Sequence, residues 1–174
     1  MIKRNFTNRS QATFIPLYKS LVRPHLEYCR SVWNPHFRKD IELIEEVQRR
    51  ATKLVKDVEH LQHYNDRLEH LGLMCLHTGR IRSDLIDTYK IVNGIDNVKT
   101  ELFFYYDQSG RRGHSKKLFK RRSRLDIRKF AFSSRIVDRW NSLSECCVTC
   151  NSINVSNLIF WVHWNRKEYE VLIF

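Results

Sequence analysis

The sequence predicts a mainly α fold: a helical array of about six to seven helices, with a basic, partly extended segment near residues 111–129. Three observations lead there. Apolar residues recur at spacings of three and four through most of the chain, the mark of helices with one buried face. The 174 residues are 42% hydrophobic and 12% aromatic, enough to close a core. Only 5 Gly and 3 Pro occur, which excludes collagen-like and low-complexity material and argues against glycine-rich nucleotide loops.

The elements follow in order. Phe14, Leu17, Tyr18, Leu21 and Val22 fall on one helical face. Pro24 disfavours helical geometry at Arg23, so a break or kink belongs there. A second short helix can run from Pro24 through Tyr28, Val32 and Trp33, ended by Asn34-Pro35. The third is the clearest: Asp40 can cap it, and Ile44, Val47, Ala51, Leu54 and Val55 form its stripe. Arg49, Lys53 and Lys56 are spaced to line one ridge of that helix, which could hold phosphates or equally be a solvated face. Tyr64, Leu68 and Leu71 give a short helix stopped by Gly72; Ile81, Leu85, Tyr89 and Val92 give another stopped by Gly94. Arg80, Arg82, Asp84 and Asp87 decorate the latter with mixed charge and read as surface.

Beyond Asn93 the periodicity weakens. Leu102, Phe103, Phe104, Tyr105 and Tyr106 form a dense cluster that reads as a plug onto the core, with base stacking as the alternative. Residues 111–129, RRGHSKKLFKRRSRLDIRK, hold few apolar side chains, so this stretch lies over the surface or orders on a partner. Extended pieces are expected near Lys117–Lys120 and Ser123–Ile127. Phe132, Ile136, Trp140 and Leu143 give a last clear helical face, and Val155, Leu158, Ile159 and Val162 a further candidate.

Charge is concentrated rather than spread. The chain carries net +12, and residues 108–140 alone hold 12 basic and 2 acidic groups, net +10. Such density suits a polyanion, because each neutralised phosphate releases condensed counterions. A solvated surface without a ligand is the plainer alternative. The longest purely apolar run, Leu158 to Val162, is far short of a membrane span, and MIKRNFTNRSQ has no signal-peptide core. The expectation is a soluble, intracellular chain in the nucleus or cytoplasm.

Positive evidence for an active site is missing. Two-metal phosphoryl chemistry needs converging carboxylates, yet Glu45 and Glu46 diverge on a helix and Asp84 and Asp87 are placed to pair with Arg80 or Arg82. There is no G-x-S-x-G and no H-x-x-x-H; His60 and His63 read as a chance surface pair. Five cysteines are an odd number for a disulfide framework. Cys146, Cys147 and Cys150, with His163 downstream, lack the two spaced ligand pairs of a zinc knuckle and read as free thiols. Cys29 and Cys75, among apolar neighbours, read as core. No cofactor and no metal is expected.

The wording of the chain carries more than its composition. LYKSLVRPHLEYCRSVWNPHFRKDIELIEEVQRRATKLV, residues 17–55, closely resembles a segment of non-LTR retrotransposon (LINE) reverse transcriptases of the jockey and chicken-repeat type. YNDRLEHLGL (64–73), RIRSDLIDTYKIVNG (80–94), RGHSKKLF (112–119) and FSSRIVDRWNSL (132–143) resemble later blocks of those elements in the same order. The resemblance covers roughly residues 1–160 and implies thumb and post-thumb regions of an RNA-directed DNA polymerase. On it the chain divides into a thumb-like helical domain (1–95), an aromatic loop, basic segment and helix (96–143), and a divergent C-terminal tail (144–174).

The family's palm motif, typically Tyr-x-Asp-Asp, is not in this sequence. The resemblance therefore implies a C-terminal fragment, not an enzyme as a stand-alone chain, whose partners are RNA or DNA template–primer and the missing palm and fingers. Charge and position make Lys19, Arg23, Arg38, Lys39, Arg49, Lys53 and Lys56 candidates for a sequence-indifferent duplex grip. Arg111, Arg112, Lys116, Lys117, Lys120, Arg121, Arg122 and Arg124 are candidates for contacting nucleic acid outside that grip. The chain departs from the family at Ser144, where Pro is usual, at Cys146-Cys147, and in the closing NLIFWVHWNRKEYEVLIF. The alternatives are a relic helical structural domain and a protein-interaction module.

Overall fold

A computed structural model describes residues 7–108 and 113–150. It is mainly helical, as expected, and divides into two compact units, residues 1–80 and 81–174.

Unit 1 begins with helix α1, Gln11–Leu21. The Ser10 carbonyl accepts the Thr13 and Phe14 N–H groups. Asp57 takes the Gln11 N–H at 2.6 Å, setting a carboxylate on the positive end of the helix. Helix α2, Arg23–Glu27, carries Pro24 in its first turn, where a missing N–H costs nothing. It ends at Glu27, shorter than the sequence suggested. Cys29 adopts φ 50°, and its carbonyl accepts the N–H groups of Val32 and Trp33 in a turn. Cys29 is exposed, not core, and Cys75 is half-buried.

Helix α3 spans Arg38–Thr52 and is capped at Phe37. Asp40 lies in its first turn rather than at the cap. The buried face also differs from the apolar stripe: Gln48 and Thr52 are buried, while Val47 is 40% exposed. Gln48 is the reason. Its side-chain amide donates to the Met74 carbonyl at 3.1 Å and to the Tyr64 hydroxyl at 3.0 Å, and accepts from the Tyr18 hydroxyl at 2.9 Å. A fully bonded amide can be buried as safely as a leucine. Burial holds the Tyr18 and Tyr64 phenols well above the usual tyrosine range, and the neighbouring Glu45 carboxylate adds to the shift at Tyr64.

A 3-10 turn, Lys56–Val58, leads to helix α4, Tyr64–His70. Gly72, at φ 58°, closes α4: its N–H bonds the Glu69 carbonyl, and the Leu73 N–H bonds that of Leu68. The core joins Phe14, Ile15 and Tyr18 of α1 to Val55, Val58, Leu68, Leu71 and Leu73.

Helix α5, Leu76–Val92, starts earlier than the expected Ile81. Glu45 explains the early start. Its carboxylate accepts the N–H groups of Leu76, at 2.9 Å, and His77, at 3.3 Å, from a position 31 residues upstream. Gly94 closes the helix with the same pair of bonds found at Gly72. Arg80 is 2% exposed rather than superficial; it donates to the Leu26 carbonyl and lies 4.4 Å from the Trp33 ring centre.

Unit 2 packs Ile81, Leu85, Tyr89, Ile91 and Val92 against Phe104, Leu118, Ile136, Val137, Trp140, Leu143, Cys147 and Val148. Asp84 is 2% exposed and pairs with Arg135, 51 residues on, at 2.8 and 3.0 Å. A 3-10 turn covers Thr100–Leu102. Helices α6 (Asp126–Lys129), α7 (Phe132–Arg135), α8 (Val137–Asn141) and α9 (Glu145–Thr149) follow. The face expected on one helix from Phe132 to Leu143 is thus shared by two, with the break at Ile136. The helix expected around Val155–Val162 lies outside the described residues, as does His163.

Candidate nucleic-acid interface

The site begins with how an apolar-poor segment is held in place. Tyr106 and Leu118 form an isolated antiparallel bridge. The Asp107 N–H donates to the Lys117 carbonyl at 2.9 Å, and the Phe119 N–H to the Tyr105 carbonyl at 2.7 Å. This register turns the N–H and C=O of Leu118 away from Tyr106. The Asn141 side chain meets both: its oxygen accepts the Leu118 N–H at 2.9 Å, and its amide donates to the Leu118 carbonyl at 2.8 Å. Leu118 itself is 1% exposed. One buried leucine with a fully bonded backbone anchors the ribbon.

The flanking turn is pinned as well. Trp140 Nε1 donates to the Lys116 carbonyl at 2.9 Å, and the His114 ring bonds the Trp140 carbonyl at 3.0 Å. Glu145 accepts the Ser115 N–H and hydroxyl, both at 2.8 Å. Those two bonds, the hydroxyl first, hold the Glu145 carboxyl below its ordinary range. Residues 119–122 are exposed. The extended piece expected near Lys117–Lys120 is therefore present as a minimal pairing. The one expected at Ser123–Ile127 is not, because Asp126 opens α6.

The candidate residues fare differently in the two units. In unit 1, Arg23 is already paired with Glu27 at 2.8 Å, and Arg38 with Glu42 at 2.8 Å. Lys39 lies 5.8 Å from the Phe37 ring centre, and Arg49 lies 5.1 Å from that of Tyr64. Lys19, Lys53 and Lys56 are exposed. The expected single helical ridge is interrupted: α3 ends at Thr52, Lys53 is its C-cap, and Lys56 belongs to the 3-10 turn.

In unit 2, Lys116 bonds the Asn93 side chain and Lys120 pairs with Asp138. Lys117 is half-buried. Arg121, Arg122 and Arg124 are exposed, and none makes an ion pair among the described residues. Arg128 and Lys129, on α6, extend the same exposed cationic run; they lie in the basic segment but were absent from the sequence-based site. Arg111 and Arg112 lie outside the described residues.

The aromatic cluster splits. Phe104 alone is fully inserted, edge-on to Phe132 at 5.6 Å between ring centres. Leu102, Phe103, Tyr105 and Tyr106 stay 41–73% exposed, so most of the expected plug faces outward.

The carboxylates do not converge. Glu45 is engaged on the start of α5 and Asp84 on Arg135. Among the described residues no group of three or more His, Cys, Asp or Glu side chains could hold a metal ion. A cavity bounded by Pro35, Ile41, Glu45, Leu76 and Arg80 measures about 10 Å³, room for a water rather than a substrate. Among the described residues no helix is long and apolar enough to cross a membrane. Comparison with family models, with curated proteins and with solved structures finds no match to this chain.

Proposed function

We propose that this chain is a non-catalytic, nucleic-acid-binding portion of a non-LTR retrotransposon reverse transcriptase, comprising thumb and post-thumb regions. The observation that carries the binding half is the run Arg121, Arg122, Arg124, Arg128 and Lys129, exposed and without ion pairs among the described residues. Side chains that no acidic group among the described residues neutralises are left to an external anion. The polymerase half rests on the ordered blocks between residues 17 and 143. In this reading the chain grips template–primer through the phosphate backbone, in the nucleus or cytoplasm, beside the palm and fingers of its parent enzyme.

The test has two arms. Labelled RNA and duplex should bind with little sequence preference, losing on the order of 100-fold (single strand) to 500-fold (duplex) in affinity between 50 and 200 mM salt, as for about five phosphate contacts. With primer–template, Mg²⁺ and nucleotides, the chain should extend no primer. Salt-independent binding would overturn the electrostatic account, and robust extension the non-catalytic one.

A second reading, a protein-interaction module, is favoured by the apolar exposure in unit 1: Tyr28 at 72%, Val32 at 82%, Phe37 at 55% and Leu43 at 63%. A partner that survives nuclease treatment in a pull-down would support it.

A further inference from the structure

Tyr105 and Phe119 stand directly opposite each other in the antiparallel pairing, linked by the 2.7 Å bond from the Phe119 N–H to the Tyr105 carbonyl. Side chains alternate across such a ribbon. Leu118 faces the core, so Tyr105 and Phe119 share the opposite face. They are 52% and 54% exposed. Arg121, two residues beyond Phe119, brings its guanidinium to 5.3 Å from the Tyr105 ring centre. Arg122 and Arg124 follow on the same exposed chain. A single exposed ring is ordinary. Two rings paired across a ribbon, with a stacked arginine and further cations in line, form a composite surface.

We propose that this ribbon is a stacking platform for single-stranded nucleic acid, with bases on the Tyr105 and Phe119 rings and phosphates on Arg121, Arg122 and Arg124. The surface chooses among polyanions. A duplex keeps its base faces inside its own stack and would leave both rings idle. An acidic peptide would meet the cations but has no π-face to set against the rings. A single strand offers a base face and a phosphate at every residue, so both halves of the surface are used. The platform rests on the nucleic-acid-binding reading and narrows it for unit 2. It is sequence-tolerant, because every base has a face to stack.

The test uses the full chain and three fluorescein-labelled probes: a 12-nucleotide oligouridylate, an abasic strand of equal length, and a 12-base-pair duplex. Tyr105→Ala and Phe119→Ala should each weaken oligouridylate binding on the order of 10-fold, with duplex affinity and salt slope unchanged. Tyr105→Phe should bind like the parent, and circular dichroism should show each variant folded. The parent should bind the abasic strand more weakly than either single alanine variant binds oligouridylate, by on the order of 100-fold relative to its own oligouridylate binding, because both rings then go unused. Equal parent affinity for the abasic and base-bearing strands would overturn the platform. So would Tyr105→Ala and Phe119→Ala variants that keep full oligouridylate affinity. If the parent binds duplex and strand while the variants lose nothing, only the platform fails. If the parent binds no probe, and polyglutamate instead, the nucleic-acid reading fails with it.

Discussion

Two polar regions of this chain use the same residue types to opposite ends. Around Gln48 in unit 1, every group is answered: Tyr18, Tyr64, Glu45 and the Met74 carbonyl close a network in which donors meet acceptors within the chain. At Tyr105 and along residues 119–129 of unit 2, tyrosine, phenylalanine and arginine are set outside, and Arg121, Arg122, Arg124 and Arg128 find no carboxylate among the described residues. The difference teaches where to look for function. A tyrosine or arginine is informative by what it leaves unanswered, not by its type.

The contrast can be broken or sharpened by substitution. The largest effect is expected inside unit 2 itself, at the pair that is answered. Asp84→Ala leaves Arg135 buried without its carboxylate and should cost about 3–5 kcal/mol, read from urea unfolding. Gln48→Ala should cost about 3 kcal/mol, because it leaves the buried Tyr18 hydroxyl and the Met74 carbonyl without their partner and opens a cavity, yet leave nucleic-acid affinity unchanged. A loss of binding without a loss of stability at Gln48 would contradict the separation of a structural network in unit 1 from an interface in unit 2.

Alkaline pH gives a smaller effect. Tyr18 and Tyr64 ionise less readily folded than unfolded, so their contribution is complete below pH about 10. It falls as pH rises above that value, because the unfolded chain then releases phenolic protons that the folded chain retains. Unfolding free energy should decline from pH 10 upward, and Tyr18→Phe should make that decline shallower. The smallest effect on stability belongs to the outer run: Arg122→Ala and Arg124→Ala should stay within about 0.5 kcal/mol of the parent. Each should lower the log–log salt slope for single-strand binding by about 0.7. Unfolding midpoints and salt titrations of the same preparations check both halves.

Helices were legible wherever local chemistry decides them. Gly72 and Gly94 end α4 and α5 as their sequence positions imply, because the left-handed cap is a property of a few adjacent residues. Ile81, Leu85, Tyr89 and Val92 are all buried as their spacing predicts. Matters settled by remote partners were hidden. Nothing near Gln48 announces that Tyr18, 30 residues earlier, and Met74, 26 later, will meet its amide. Asp84 pairs with an arginine 51 residues away, which no local pattern announces. The early start of α5 was invisible because its cap is Glu45, not a neighbour.

The candidate interface divides in the same way. Its charge is plain from counting. The outward placement of Tyr105 and Phe119 is not, because five consecutive large side chains carry no period to say which face is buried. Only the buried Leu118, bracketed by Asn141, sets that register. A hydrophobic residue flanked by alternating aromatic and basic positions, as in Lys117 to Arg121, was the available signal.

The cap on α5 also orders events in time. Glu45, Gln48 and Tyr64 all precede Leu76, so on a ribosome adding about 5–20 residues per second the receiving carboxylate is made roughly 2–6 s before the amide it binds. The growing chain can dock α3 on α4 first and offer α5 a finished starting point as it emerges. Asp84 has no such advantage. It must wait for Arg135, 51 residues later, so a translation product stopped before that point holds Asp84 without its partner and without the later half of the core that buries it.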